Sequence, residues 1–157
     1  MSAMAPPISD ICRQHLDFMQ WADERLMNAV AEHAPERIAA LQHIYLAELV
    51  WFRRVCGDGA CQIADLEAPG DAASLREAWE AHHREWKNWS NRVADWSVPT
   101  PNTTAKGVEY HTPLWQLIFH LVNHGSYHRG QVAAMLRASG IAPPPTDLVA
   151  YYRALQA

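Results

Sequence analysis

The sequence predicts an all-α protein: a four-helix bundle with a long crossover connection between helices 2 and 3 and a short C-terminal helix. Two observations lead there. Four long stretches repeat apolar residues at alternating steps of three and four, the period of a helix with one buried stripe. A single long stretch without period, residues 57–73, separates the second from the third and is rich in Gly, Asp, Pro and Ala.

Each element follows from local signals. Ser9 or Asp10 can cap a first helix reaching about His33, with Ile11, His15, Phe18, Ala22, Ala29 and Val30 near its inner side. Pro35 suits the first position of a second helix that runs to about Cys56, where Gly57 stops it. Its apolar positions form two rows, Ile38, Leu41, Tyr45, Leu49 and Phe52 in one, Ala40, Ala47, Val50 and Trp51 in the other. Ser74-x-x-Glu77 reads as a capping box opening a third helix. Leu75, Trp79, His82, Trp86, Trp89, Val93 and Trp96 then make a row whose tryptophans read as bundle core, with His83 facing solvent. Residues 98–111 hold two prolines and Gly107 and read as an irregular loop or small hairpin. Thr112-Pro113 opens the fourth helix and Gly140 ends it; beyond three prolines, Asp147 to Leu155 forms the terminal helix.

Composition narrows the function. A chain of 157 residues reads as one domain, 1–157, long enough to bury a core. A net charge of −4, with Arg53-Arg54 the only adjacent basic pair, argues against a nucleic-acid partner. No apolar run reaches the roughly 18 residues of a membrane span, and the opening MSAMAPPISD lacks the charged and apolar regions of a signal peptide. Three irregularly spaced cysteines, Cys12, Cys56 and Cys61, suit a reducing compartment. These features predict a cytoplasmic protein whose partners are a small-molecule substrate and a second copy of itself. The homodimer is expected because Trp and Phe positions exceed what one bundle core needs.

The chemistry concentrates in His120-Leu-Val-Asn-His124-Gly-Ser-Tyr-His128-Arg-Gly-Gln131. Positions 114, 117, 121, 124, 128, 131 and 135 step by three and four, so His124, His128 and Gln131 continue the apolar stripe and are expected on the inner face. Buried imidazoles need partners, and two of them one turn apart have a common one in a metal ion. A hydrogen-bonded core histidine cluster without metal is the alternative. His120 extends the row, but three histidines at i, i+4 and i+8 span roughly 12 Å, whereas metal–nitrogen bonds are about 2.1 Å. One ion can take a neighbouring pair, and 124/128 lies better on the seam. A further ligand would come from another helix: His43, between the small Ala40 and Ala47, is the best placed, and His82 lies on an inward row. Arg129 is placed to pair with a carboxylate such as Glu48.

The same stretch resembles the signature of the DinB/YfiT-like family of small damage-inducible four-helix proteins. His43-Ile-Tyr-Leu-Ala-Glu48-Leu-Val-Trp51 is similar to that family's second-helix motif, and Gly107-Val-Glu-Tyr110 and the tail from Gly140 to Tyr152 agree with it. The resemblance implies a divalent metal held by one histidine of helix two and two of helix four, which on this chain are His43, His124 and His128. Zinc is the expected ion, with nickel or iron as alternatives. Three imidazoles leave a coordination position open, as in catalytic zinc sites. The resemblance further implies a metal-dependent thiol S-transferase or isomerase acting on electrophilic small molecules, with a low-molecular-weight thiol (bacillithiol, mycothiol or glutathione) as cosubstrate. Gln131 and Arg129 would then support the ligands or contact substrate. The alternative is a non-catalytic, stress-associated protein in which the ion stabilises the bundle.

Overall fold

The computed structural model describes residues 5–157. The reading of the opening segment as lacking a leader falls partly on residues 1–4, outside the described residues. The helices are α1 (Ile8–His33), α2 (Ala39–Val55), α3 (Ala72–Ser90), α4 (Leu114–Ala138) and the short α5 (Leu148–Ala154). A two-stranded antiparallel hairpin, β1 (Pro99–Thr103) and β2 (Glu109–Pro113), stands between α3 and α4, pairing Pro99 with Pro113 and Thr103 with Glu109. The all-α bundle expected from the periodicity is what forms, with this hairpin as its only sheet among the described residues. α1 packs against α3 and α4, and α2 against the same two, so the four long helices close a ring around the core.

The helix starts differ from the local signals in instructive ways. Pro7, not Ser9 or Asp10, is the N-cap of α1. Pro35 opens a 3-10 turn, Pro35–Arg37, and α2 begins after it. The Ser74 capping box does not form; Asp71 caps α3 instead, its carboxylate accepting from the Ser74 N–H at 2.9 Å. Pro113 precedes α4 as its N-cap rather than lying in its first turn. At the other end Gly140, at φ 77°, turns the chain out of α4 while the Ile141 N–H returns to the Leu136 carbonyl at 2.9 Å.

Two apolar clusters fill the bundle, one towards each end. Cys12, Leu16, Phe18, Met19, Trp86, Ile118 and Leu121 anchor the first, which Tyr151 of α5 joins. Leu26, Val30, Leu41, Ile44, Leu75, Trp79, Val132 and Leu136 anchor the second. The tryptophan row is core, as its spacing implies: Phe52 meets Trp86 edge-on at 4.9 Å and Trp86 meets Trp89 at 5.4 Å. Between the two clusters lies a buried polar layer with one residue from each long helix: Asp23, Glu48, His83 and Arg129.

Candidate metal centre

Three imidazoles meet where α2 and α4 pack. His43 projects from α2, and His124 and His128 from successive turns of α4. Ring centroids lie 4.5 Å apart for His43–His128 and for His124–His128, and 6.5 Å apart for His43–His124. The Nε2 atoms of His124 and His128 stand 3.2 Å apart, and His128 Nδ1 lies 2.9 Å from Gln131 Oε1. Because the amide oxygen only accepts, His128 carries its proton on Nδ1 and presents the Nε2 lone pair to His124. At that distance the two nitrogens share either a proton, donated by His124 Nε2, or a cation.

The trio sits nearer solvent than the stripe predicts. His43 and Gln131 are exposed and His124 and His128 half-buried, so Gln131 is not an inner-face residue. The face of α4 that is buried runs through Leu117, Ile118, Leu121, Val122, Gly125, Arg129, Val132 and Leu136. The true seam is thus rotated by about one residue, roughly 100°, and leaves the histidines on its flank, towards solvent.

Other expected residues fall elsewhere. His120 is exposed and meets Trp51 edge-on at 5.0 Å, its centroid 5.8 Å from His124. His82 is buried on α3, where its Nε2 accepts from the Trp86 indole at 3.0 Å and its ring packs on Phe52; it does not join the trio. His83, expected in solvent, is 3% exposed. Arg129 pairs not with Glu48 but with Asp23 of α1, Nη1 to Oδ1 at 2.8 Å. Glu48 instead accepts from the Trp79 indole at 2.8 Å. His83 Nε2 lies 3.2 Å from Asp23 Oδ2 and 3.6 Å from Glu48 Oε2. Asp23, Glu48 and His83 each offer a ligand atom within 4.8 Å of the others, so this buried group could also hold a divalent ion.

A model of the DinB family matches residues 9–156. The chain belongs to the DinB family. Protein DinB of Bacillus subtilis (strain 168) is 26% identical over 170 aligned residues, spanning 92% of this chain and 95% of that protein.

The electrostatics of the two polar groups in this DinB-family protein are opposite. Burial lowers the pKa of His43, helped by His128, and lowers that of His124, helped by His128, His120 and His43. His43 and His124 therefore favour the neutral imidazole, the form that ligates metals. In the buried layer, burial alone would lower the His83 pKa, but hydrogen bonds and charge from Asp23 and Glu48 hold it up at about 9. Glu48 is pushed up to about 8 by burial and by the Asp23 charge. Asp23 resists its own burial because the Arg129 guanidinium and His83 hold its carboxyl below the usual range. Sequence reasoning missed Asp23 and His83. The available signal was that each interrupts an apolar stripe of its helix, Asp23 after Ala22 and before Leu26, His83 beside His82.

Proposed function

We propose that the protein holds a divalent ion, zinc in first place, on His43, His124 and His128 and uses it for thiol-dependent S-transfer to electrophilic small molecules. The observation that carries the reading is the approach of the His124 and His128 Nε2 atoms to 3.2 Å, with the His128 tautomer set by Gln131. The His124–His128 pair fits such an ion, because nitrogens about 2.1 Å from a common centre in a tetrahedral array stand roughly 3.4 Å apart; His43, its ring centroid 6.5 Å from that of His124, would turn in to complete the set. A divalent ion there supplies Lewis acidity that lowers the pKa of a bound thiol towards neutrality.

The chain's own residues contribute position and access. Gln131 keeps His128 in its ligating tautomer. Tyr127, its ring 5.2 Å from His128, and Trp51, edge-on to the neighbouring His120, offer aromatic surface to an apolar electrophile. The overall reaction forms a carbon–sulfur bond from the thiol's electron pair, releases the thiol proton to solvent and expels the electrophile's leaving group. Membership of the DinB family and the open setting of the histidines support this reading.

The test is elemental mass spectrometry of the purified protein beside His43→Ala and His128→Ala variants, followed by turnover of an aryl halide with bacillithiol, mycothiol and glutathione. We expect each variant to hold about one ion fewer per chain than the parent and to lose thiol-dependent turnover. An unchanged ion content in both variants would remove the ion from this trio. An ion lost as expected, but with no turnover for any thiol, would leave the non-catalytic metal-binding reading.

A further inference from the structure

The polar layer at mid-bundle has the composition and geometry of a ligand set, and three of its atoms lack partners. Glu48 is 1% exposed, yet its Oε1 has no hydrogen-bond partner; His83 Nδ1 and Arg129 Nε are likewise buried and unpartnered. Buried polar atoms in native proteins are nearly always satisfied, and the free Oε1 leaves the Glu48 carboxyl able to engage a cation through both oxygens. On the other side of the same residues, His83 Nε2, Asp23 Oδ2 and Glu48 Oε2 converge, with separations of 3.2 and 3.6 Å from the imidazole to the two carboxylates. These bracket the roughly 3.4 Å edge of a tetrahedral site with bonds near 2.1 Å.

The layer is also reachable. A cleft of about 290 Å³ runs between α1 and α3, with Asp23 and His83 among its lining residues and Glu24, Arg76 and Glu80 beside them. The two glutamates outnumber the single guanidinium, which leaves the cleft wall net negative. Two further contacts have the form of outer-shell support for metal ligands. Arg129 Nη1 donates to Asp23 Oδ1 at 2.8 Å, which leaves Oδ2 facing His83, and the Trp79 indole donates to Glu48 Oε2 at 2.8 Å.

We propose that Asp23, Glu48 and His83 form a second divalent-cation site in the bundle core, separate from the histidine trio and opening to the cleft between α1 and α3. Two carboxylates and one imidazole are a harder ligand set than three imidazoles, so the site suits Mn²⁺, Fe²⁺ or Zn²⁺ rather than Cu²⁺ or Ni²⁺. The ion would stand where His83 Nε2 now faces the two carboxyl groups, and would displace any proton from that nitrogen. Bound there, the ion ties α1, α2 and α3 together at the level where the two apolar clusters meet.

The test separates this site from the trio. A His43→Ala/His128→Ala double variant is dialysed against Mn²⁺ and, separately, Zn²⁺, and its ion content is measured. The trio lies at the surface, so the double variant should stay folded, which circular dichroism checks. We expect about one ion per chain, lost when Glu48→Gln or His83→Gln is added. In the otherwise unchanged protein, Glu48→Gln should reduce two bound ions to one. A double variant that binds neither metal overturns the proposal, whatever the trio does in the parent protein. So does an ion that survives both Glu48→Gln and His83→Gln, since it must lie elsewhere.

Discussion

Arg129 and Asp23, 106 positions apart in sequence, form an ion pair of 2.8 Å, and both are 1% exposed. The guanidinium also donates to Ser126 Oγ at 3.1 Å within α4. Arg129 follows His128 directly, so its tie to α1 fixes the rotation of α4 that turns His124 and His128 toward His43. Gly125, one turn earlier, makes the room: a Cβ there would stand 2.8 Å from Arg129 Nη1.

Arg129→Ala should be among the most damaging single changes. It strands the Asp23 carboxylate in a buried layer, and breaking a buried pair from one side costs about 3–5 kcal/mol. Urea unfolding followed by circular dichroism measures it. A loss below about 1 kcal/mol would mean that water or His83 compensates Asp23.

Gly125→Ala adds one methyl group and no charge change. The methyl must displace the guanidinium or shift α4 against α1, an overpacking cost of about 1–3 kcal/mol despite alanine's better helix propensity. A stabilised Gly125→Ala protein would show that the guanidinium moves freely.

Gln131→Leu tests the trio without touching a ligand. Losing the amide oxygen 2.9 Å from His128 Nδ1 frees the tautomer, and changes to such outer partners lower metal affinity about 10–100-fold. Gln131→Glu keeps an acceptor at that position and should retain the parent affinity. Competition with a chromogenic chelator reads both, and because Gln131 is exposed the unfolding midpoint of the metal-free protein should hardly move.

The fold was legible because four long stretches carry a 3.6-residue apolar period, and length and breaks then leave few arrangements. The meeting of His43, His124 and His128 was reachable by spacing and by resemblance. Their depth was not. On α4 the rows through 124/128 and 125/129 are neighbours, and an arginine and a glycine read as solvent-facing. Arg129 is buried only because Asp23 waits for it on α1, a pairing that no local pattern announces. His83 escaped for the same reason: α3 packs on α1 as well as α2, so the helix buries two adjacent histidines, His82 toward Phe52 and His83 toward Asp23. The Asp71 cap was missed because Ser74-x-x-Glu77 offered a complete capping box three residues downstream.

Trp79→Phe should expose how Glu48 is tolerated. The indole N–H is its one 2.8 Å donor besides the His83 contact, and phenylalanine fills most of the same space. Losing one donor to a buried carboxyl oxygen costs about 1–3 kcal/mol. With its pKa raised to about 8, Glu48 is ionised in the fold only on the alkaline side, so the cost should grow as the pH rises through 8, and Glu48→Gln in the Trp79→Phe background should remove that growth in the metal-free protein. A cost that stays the same from pH 7 to 9.5 would mean that the indole does not stabilise the ionised form.

The pH dependence of stability in the metal-free protein, measured with chelator present, follows from the same layer. His83 holds its proton up to about 9 when folded, against 6.5 when unfolded. Its contribution is therefore complete below about pH 6.5 and is lost as the pH rises through 9. Glu48, raised from 4.5 to about 8, acts in the same direction: protonation favours the folded state, and that benefit fades as the pH rises through 8. On the acid side His82 has the opposite sign. Burial depresses its pKa from 6.5 to about 4, so its contribution is present above pH 6.5 and is lost as the pH falls through 4. Urea midpoints should thus fall on both sides of neutrality. On the alkaline side the drop between pH 7 and 9 should be roughly 3 kcal/mol for one proton held over two units, and His83→Gln should remove most of it while leaving the acid limb in place. A parent protein whose stability is flat from pH 7 to 9.5 would mean that His83 is neutral in the folded state and that the carboxylates share their proton without it.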